Sequence, residues 1–170
     1  MSKRLHSEIV ERLAGLPEEI LALESAMEEF GGSFELEAFK RAFERKDGTK
    51  AYNRVQALER AFSRVQNYVV ELAERGCRLA QLELSDTHEA KSARAFDALR
   101  EAGVINASLC RNLKRTQKAR SDVEHDYPGM RAGRLHAAVE LGLPAAREFI
   151  RPYSSWVAPY LGTGADQLRR

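Results

Sequence analysis

Cysteine is scarce: Cys77 and Cys110 are far apart, with no C-x-x-C pair and no neighbouring histidine pattern. That excludes a disulfide framework and a zinc ribbon, and reduced thiols in a cytoplasm are the simpler account. Long apolar runs are also missing. Glu8, Glu11 and Arg12 interrupt what would have to be the apolar core of a signal peptide, and no stretch reaches transmembrane length without charge, so no membrane association is expected. There is no glycine-rich phosphate loop, no H-E-x-x-H and no G-x-S-x-G, which argues against a kinase, a metallohydrolase or a nucleotidyltransferase. No metal ligand set or cofactor motif is visible. Charge of one sign is lacking too: the net charge is only +2, so an argument for nucleic acid must come from local clustering.

What the sequence does contain is helical periodicity. The 170 residues are 44% hydrophobic and 31% charged, a globular composition long enough to bury a substantial core. Leu5, Ile9, Leu13, Leu16, Ile20, Leu23, Met27 and Phe30 step by threes and fours along one face, with a kink or short break expected near Gly15-Leu16 from Pro17. Gly31-Gly32-Ser33 ends this element, with Ser33 as N-cap of a short helix holding Leu36 and Phe39, and Asp47-Gly48-Thr49 reads as a turn. A long helix follows from Lys50 to about Leu84, with Val55, Leu58, Phe62, Val65, Val69, Leu72 and Leu79 on its seam. Gly76 on that seam marks either a close helix crossing or a bend.

Ser85-Asp86-Thr87 offers caps for a helix from about His88 to Glu101, which Gly103 closes. Asn106 can cap the next one, whose seam is Leu109, Leu113, Thr116, Arg120, Val123 and Tyr127. Met130 to Leu141 is helical by composition. Leu141-Gly142-Leu143-Pro144 then predicts a break, with Pro144 starting a last helix that carries Phe149, Ile150, Tyr153, Trp156, Val157 and Tyr160 for core packing or a subunit contact. Residues 1–160 read as one helical domain and 161–170 as a flexible tail.

One seam position stands out. Arg120 lies where an apolar residue is due, and a guanidinium is costly to bury unpaired, so a groove, a subunit seam or an anion site is its expected setting. His125 follows, roughly 140° further round an ideal helix, and Tyr127 returns close to the line of the arginine before Pro128-Gly129 stops the helix. Upstream, Arg111, Lys114, Arg115 and Lys118 form a strip without acidic residues between them, whose spacing runs along and beside the seam. A phosphate backbone would read such a strip without sequence preference.

This R-x4-H-x-Y arrangement near a helix end resembles the signature of the HEPN superfamily, and is most similar to that of HepT-type toxins of toxin–antitoxin pairs. The resemblance is clearest over residues 88–160. It implies an all-α, HEPN-like, up-and-down bundle of about five to six helices. It further implies a dimer in which two arginine–histidine pairs share one cleft, acting as a metal-independent RNA endonuclease. For HepT-like members it also implies a nucleotidyltransferase antitoxin that adds AMP to the motif tyrosine, here Tyr127. Ser121 stands where such motifs usually carry Asn, Asp or His, a supporting position beside the arginine.

The chemistry itself agrees with the residue types. Metal-free RNA cleavage needs a base for the 2′-hydroxyl, which a histidine with an ordinary pKa near 6.5 suits, and a cation whose planar fork grips two phosphate oxygens, which Arg120 supplies. A two-fold dimer would double both. Two other readings remain open. The chain is a non-catalytic module that docks a nucleotidyltransferase or RNA, or it is a plain helical scaffold in which Arg120 pairs with Glu124 four residues on.

Overall fold

The computed structural model describes residues 2–32, 34–45, 49–125 and 128–162, and among them every regular element is a helix. In order these are α1 (Ser2–Glu28), α2 (Leu36–Glu44), α3 (Lys50–Leu79), α4 (Lys91–Glu101), α5 (Ala107–His125) and α6 (Pro128–Leu161). The all-α bundle of about five to six helices expected from the sequence is therefore the observed architecture. No described helix is long and apolar enough to cross a membrane.

Two long pairings organise the bundle: α1 lies chiefly along α3, and α5 chiefly along α6, with α3 touching every other helix. The seams are those the periodicity marks. Leu5, Ile9, Leu13, Leu16, Ile20 and Leu23 of α1 are buried, as are Val55, Leu58, Phe62, Val65, Val69 and Leu72 of α3. Each such aliphatic side chain contributes about 2 kcal/mol of burial, which is what holds the long helices together.

Where helices stop differs from expectation in instructive ways. α3 ends at Leu79 instead of near Leu84, through a Schellman turn: Leu82 N–H donates to the Cys77 carbonyl at 2.9 Å, Gln81 N–H to Arg78, and Gln81 takes φ +54°. α4 closes the same way, with Gly103 at φ +72° and Val104 N–H bonded to Leu99. α4 starts at Lys91, three residues later than the Ser85-Asp86-Thr87 caps suggest, and its N-cap is Ala90, with no side-chain bond. α2 has Glu35 at its N-cap; Ser33, and Asp47-Gly48 of the expected turn, fall outside the described residues. Thr49 caps α3 by accepting from Tyr52 N–H at 3.3 Å.

Neither expected proline break occurs. α1 runs unbroken through Pro17 and α6 through Pro144, Pro152 and Pro159. Pro17 and Pro144 are exposed. Each costs one backbone hydrogen bond, but the carbonyl left over at residue i−4 of Pro144 belongs to exposed Glu140, where water can take it. The flanking Val139, Leu143, Ala145 and Ala146 are buried, and their packing keeps the helix in register.

The glycines on the seams are crossing points. A Cβ at Gly76 would come within 2.5 Å of the Tyr153 hydroxyl oxygen and 2.9 Å of Trp156, so α6 approaches α3 closely there; of the two readings of Gly76, the crossing is the one realised. Tyr153 is buried and donates its hydroxyl to the Leu72 carbonyl at 2.5 Å, and Phe149, Tyr153, Trp156 and Tyr160 form a ladder of ring contacts along α6. The late aromatic cluster is thus mainly core.

Candidate functional site

Helix α5 begins on a side-chain cap, as expected: Asn106 Oδ1 accepts from Leu109 N–H at 2.8 Å, worth about 1 kcal/mol. Leu109, Leu113 and Thr116 of its seam are fully buried, and Arg120, the next seam position, is half-buried. The guanidinium does not end in the apolar core. Its Nη1 donates to Asn67 Oδ1 of α3 at 2.5 Å, so a residue 53 positions away in sequence fixes the arginine's direction.

The start of α6 is tied to the same helix, because Arg131 forms an ion pair with Glu59, two turns before Asn67 on α3. The corner between α5 and α6 is therefore fastened to α3 on both sides. α5 carries Ser121 and His125 in its final turns, and His125 is its last residue. The side chains of Ser121, Glu124 and His125, and Tyr127 altogether, fall outside the described residues, so the Arg120–Glu124 pair does as well. Pro128 opens α6, so the proline expected to stop one helix starts the next.

The basic strip lies elsewhere on the helix than expected. Arg111, Arg115 and Lys118 are exposed and Lys114 is half-buried. At about 100° per residue these four fall within roughly a third of the circumference, opposite the buried seam and not beside it. Lys114 is already engaged: its Nζ donates to Asp97 at 2.7 Å and to Glu89 at 2.9 Å. Those bonds hold the Lys114 ammonium above its usual pKa. Partial burial works against the charged form of Asp97, but the Lys114 bond and charge outweigh it and keep the carboxyl below its ordinary range. Lys114 is thus the centre of an α4–α5 ion-pair cluster, while Arg111, Arg115 and Lys118 are the outward cations of the strip.

Three further titratable side chains, Cys77, Cys110 and His136, are packed inside the bundle. Cys77 and Cys110 are free and buried, and desolvation pushes each thiol up to about 11, so neither is a thiolate nucleophile at neutral pH. His136, which has no visible partner in the sequence, is buried in ring stacking with Phe34. Its Nε2 lies 2.5 Å from the Phe34 carbonyl and its Nδ1 3.4 Å from Glu140. Sequence reasoning missed Asn67 and Glu59, because each is an ordinary polar residue on a long helix whose partner is distant in the chain.

Neither a protein-family model nor a curated protein sequence matches the chain. Its fold does match a solved one. A chain from the crystal structure of a mutant of the toxin–antitoxin pair MntA–HpeT superimposes with a TM-score of 0.66 at 19% identity, covering 88% of this chain and 98% of that one. At that identity the likeness is one of fold: an all-α bundle of the architecture seen in a chain of that toxin–antitoxin pair.

Proposed function

We propose that this protein is the toxin of a toxin–antitoxin pair, a metal-independent RNA endonuclease that works as a homodimer through Arg120 and His125. The observation that carries the reading is Arg120 itself, a seam arginine turned out of the core and held by Asn67 close to the end of α5, where His125 stands. The likeness of the fold to a chain of a toxin–antitoxin pair supports the same reading.

In this mechanism His125 accepts the proton of a ribose 2′-hydroxyl as the oxygen attacks the adjacent phosphorus. The new bond is 2′-O–P and the broken bond is P–O5′; the products are a 2′,3′-cyclic phosphate and a 5′-hydroxyl. Arg120 grips the nonbridging oxygens, whose charge grows in the transition state. A second acid must protonate the leaving O5′, and in a two-fold dimer His125 of the partner subunit would supply that proton. Arg111, Lys114, Arg115 and Lys118 supply RNA-binding charge, with Lys114 contributing least because of its carboxylate partners.

Asn67 orients Arg120 without touching RNA. Asn67→Ala is expected to lower kcat by about tenfold with little change in KM, because one charged hydrogen bond of about 1.5 kcal/mol is lost where transition-state charge is met. A structural role alone would instead lower Tm and leave kcat per folded molecule unchanged.

Neutralisation is assigned to a nucleotidyltransferase antitoxin that adds AMP to Tyr127, placing a bulky anion beside Arg120 that blocks phosphate entry by charge and volume. Intact mass after incubation with ATP and a nucleotidyltransferase antitoxin is expected to rise by one or more AMP units, and not to rise in Tyr127→Phe. Equal modification of the Phe variant removes Tyr127 as acceptor. Ser121, in place of the usual amide or carboxylate, favours the second reading, a binding module without cleavage; such a module keeps its partner and phenotype when His125 is replaced.

A further inference from the structure

A groove of about 440 Å³ separates the start of α4 from the outer face of α5, within the size range of small-ligand clefts, roughly 300–1,000 Å³. Its α4 wall is Ala90, Ser92 and Ala93, and its α5 wall includes Arg115, Gln117 and Lys118. Three features of this groove are unspent. The first turn of α4 has no side-chain cap, so its N–H groups and the positive end of the helix dipole face outward. Ser92 is 94% buried, and its side-chain hydroxyl forms no hydrogen bond with any described residue. The amide oxygen of Gln117 is likewise buried without a partner, and the amide turned over would offer N–H donors there.

The charges around it divide cleanly. Lys114 at the rim is spent on Glu89 and Asp97, whereas Arg115 and Lys118 form no ion pair with any described residue and outnumber the one rim carboxylate, Glu89. The net offering is helix N–H groups, a hydroxyl, an amide and two cations, with the small side chains of Ala90 and Ala93 letting a ligand reach the backbone. That is a donor set for a phosphodiester, with apolar wall left for the attached ribose or base.

We propose that this groove is a nucleotide subsite that holds a phosphate of a single-stranded RNA upstream of the reaction centre. It rests on the nuclease reading for its purpose: His125 follows Lys118 by seven residues on the same helix, about 10 Å along the axis, or one to two nucleotides of extended strand. The strip then does more than attract polymer by charge. It fixes the register in which the strand enters the cleft.

The test is fluorescence anisotropy of the full-length protein with a labelled single-stranded oligonucleotide of about ten 2′-O-methyl nucleotides, which cannot be cut through a 2′-hydroxyl. Ala90→Asp is the informative variant. Aspartate at that N-cap supplies the missing cap, so Tm should rise while RNA affinity falls about tenfold, because the carboxylate takes the N–H groups and repels phosphate. Arg115→Gln and Lys118→Gln should each flatten the dependence of log K on log salt by about 0.7, the single-strand value per phosphate. Lys40→Gln, on α2, should change neither affinity nor slope. Wild-type affinity in Ala90→Asp, or no binding by the wild type at about 50 mM salt, overturns the proposal. So does full displacement of the oligonucleotide by AMP at concentrations near the Kd of the RNA, which would make the groove a free-nucleotide site. If these binding results hold while the unmodified RNA is never cut, the groove stands and the nuclease reading falls.

Discussion

On the nuclease reading, His125→Ala is expected to lower RNA cleavage by roughly 10²–10⁴-fold, the range for removing a general acid–base group, while Tm and oligomeric state remain as in the wild type. The argument is one of position. α5 is anchored at its start by the Asn106 cap, along its length by Leu109, Leu113 and Thr116, and close to its end by the Arg120–Asn67 bond. His125 is the last residue of a helix so anchored and, at roughly 140° from Arg120 on an ideal helix, is not one of its seam positions. Loss of activity with a parallel loss of Tm would mean instead that His125 is structural. Arg120→Lys adds a second reading of the same site: a lysine keeps the charge but not the planar fork, so cleavage should fall while salt-dependent RNA binding persists. Unchanged cleavage in both variants would take Arg120 and His125 out of the catalytic machinery, whereas no cleavage by the wild type would return the protein to the binding-module class.

How much of this was visible in the sequence depends on the distance over which each feature is decided. The seam of α5 and its Asn106 cap are local, spaced by threes and fours, and both are where the periodicity puts them. The end of α4 was legible because Gly103 is the residue that takes a left-handed φ at least cost. The end of α3 was not, because the same turn is made there by Gln81, which carries no such signal. The continuity of α6 through Gly142 and Pro144 was hidden for a different reason: local propensity marks a break, and packing against α3 and α5 overrides it. The site divides along the same line. Arg120 announces itself as a cation on an apolar seam, and the spacing of 111, 114, 115 and 118 at 100° per residue already puts the basic strip opposite that seam, but the Asn67 partner is settled by which helix α5 touches, and one helix's sequence does not state that.

Gly142→Val is expected to destabilise the bundle by about 3 kcal/mol or more. A Cβ at this position would lie 2.6 Å from Thr116 Cγ2, 2.8 Å from Phe62 Cε2 and 3.0 Å from Gln66 Nε2. Thr116, Phe62 and Gln66 are each 1% exposed or less, so none can swing into solvent to make room. The strain must move α6 off α5 and α3. Thr116 stands one turn before Arg120, so the same displacement pulls the guanidinium from Asn67, and kcat per folded molecule should fall along with Tm. Gly133 is the control on the same helix, because nothing lies within 4 Å of a Cβ there. Gly133→Ala should raise stability by up to about 1 kcal/mol, since alanine is the better helix former, which is about 2–4 °C in Tm for a chain of this size. Gly142→Ala gains that propensity as well but meets the clash, so its Tm should drop where that of Gly133→Ala rises. Equal shifts of the same sign in the two alanine variants would mean that α6 does not cross α5 and α3 at Gly142.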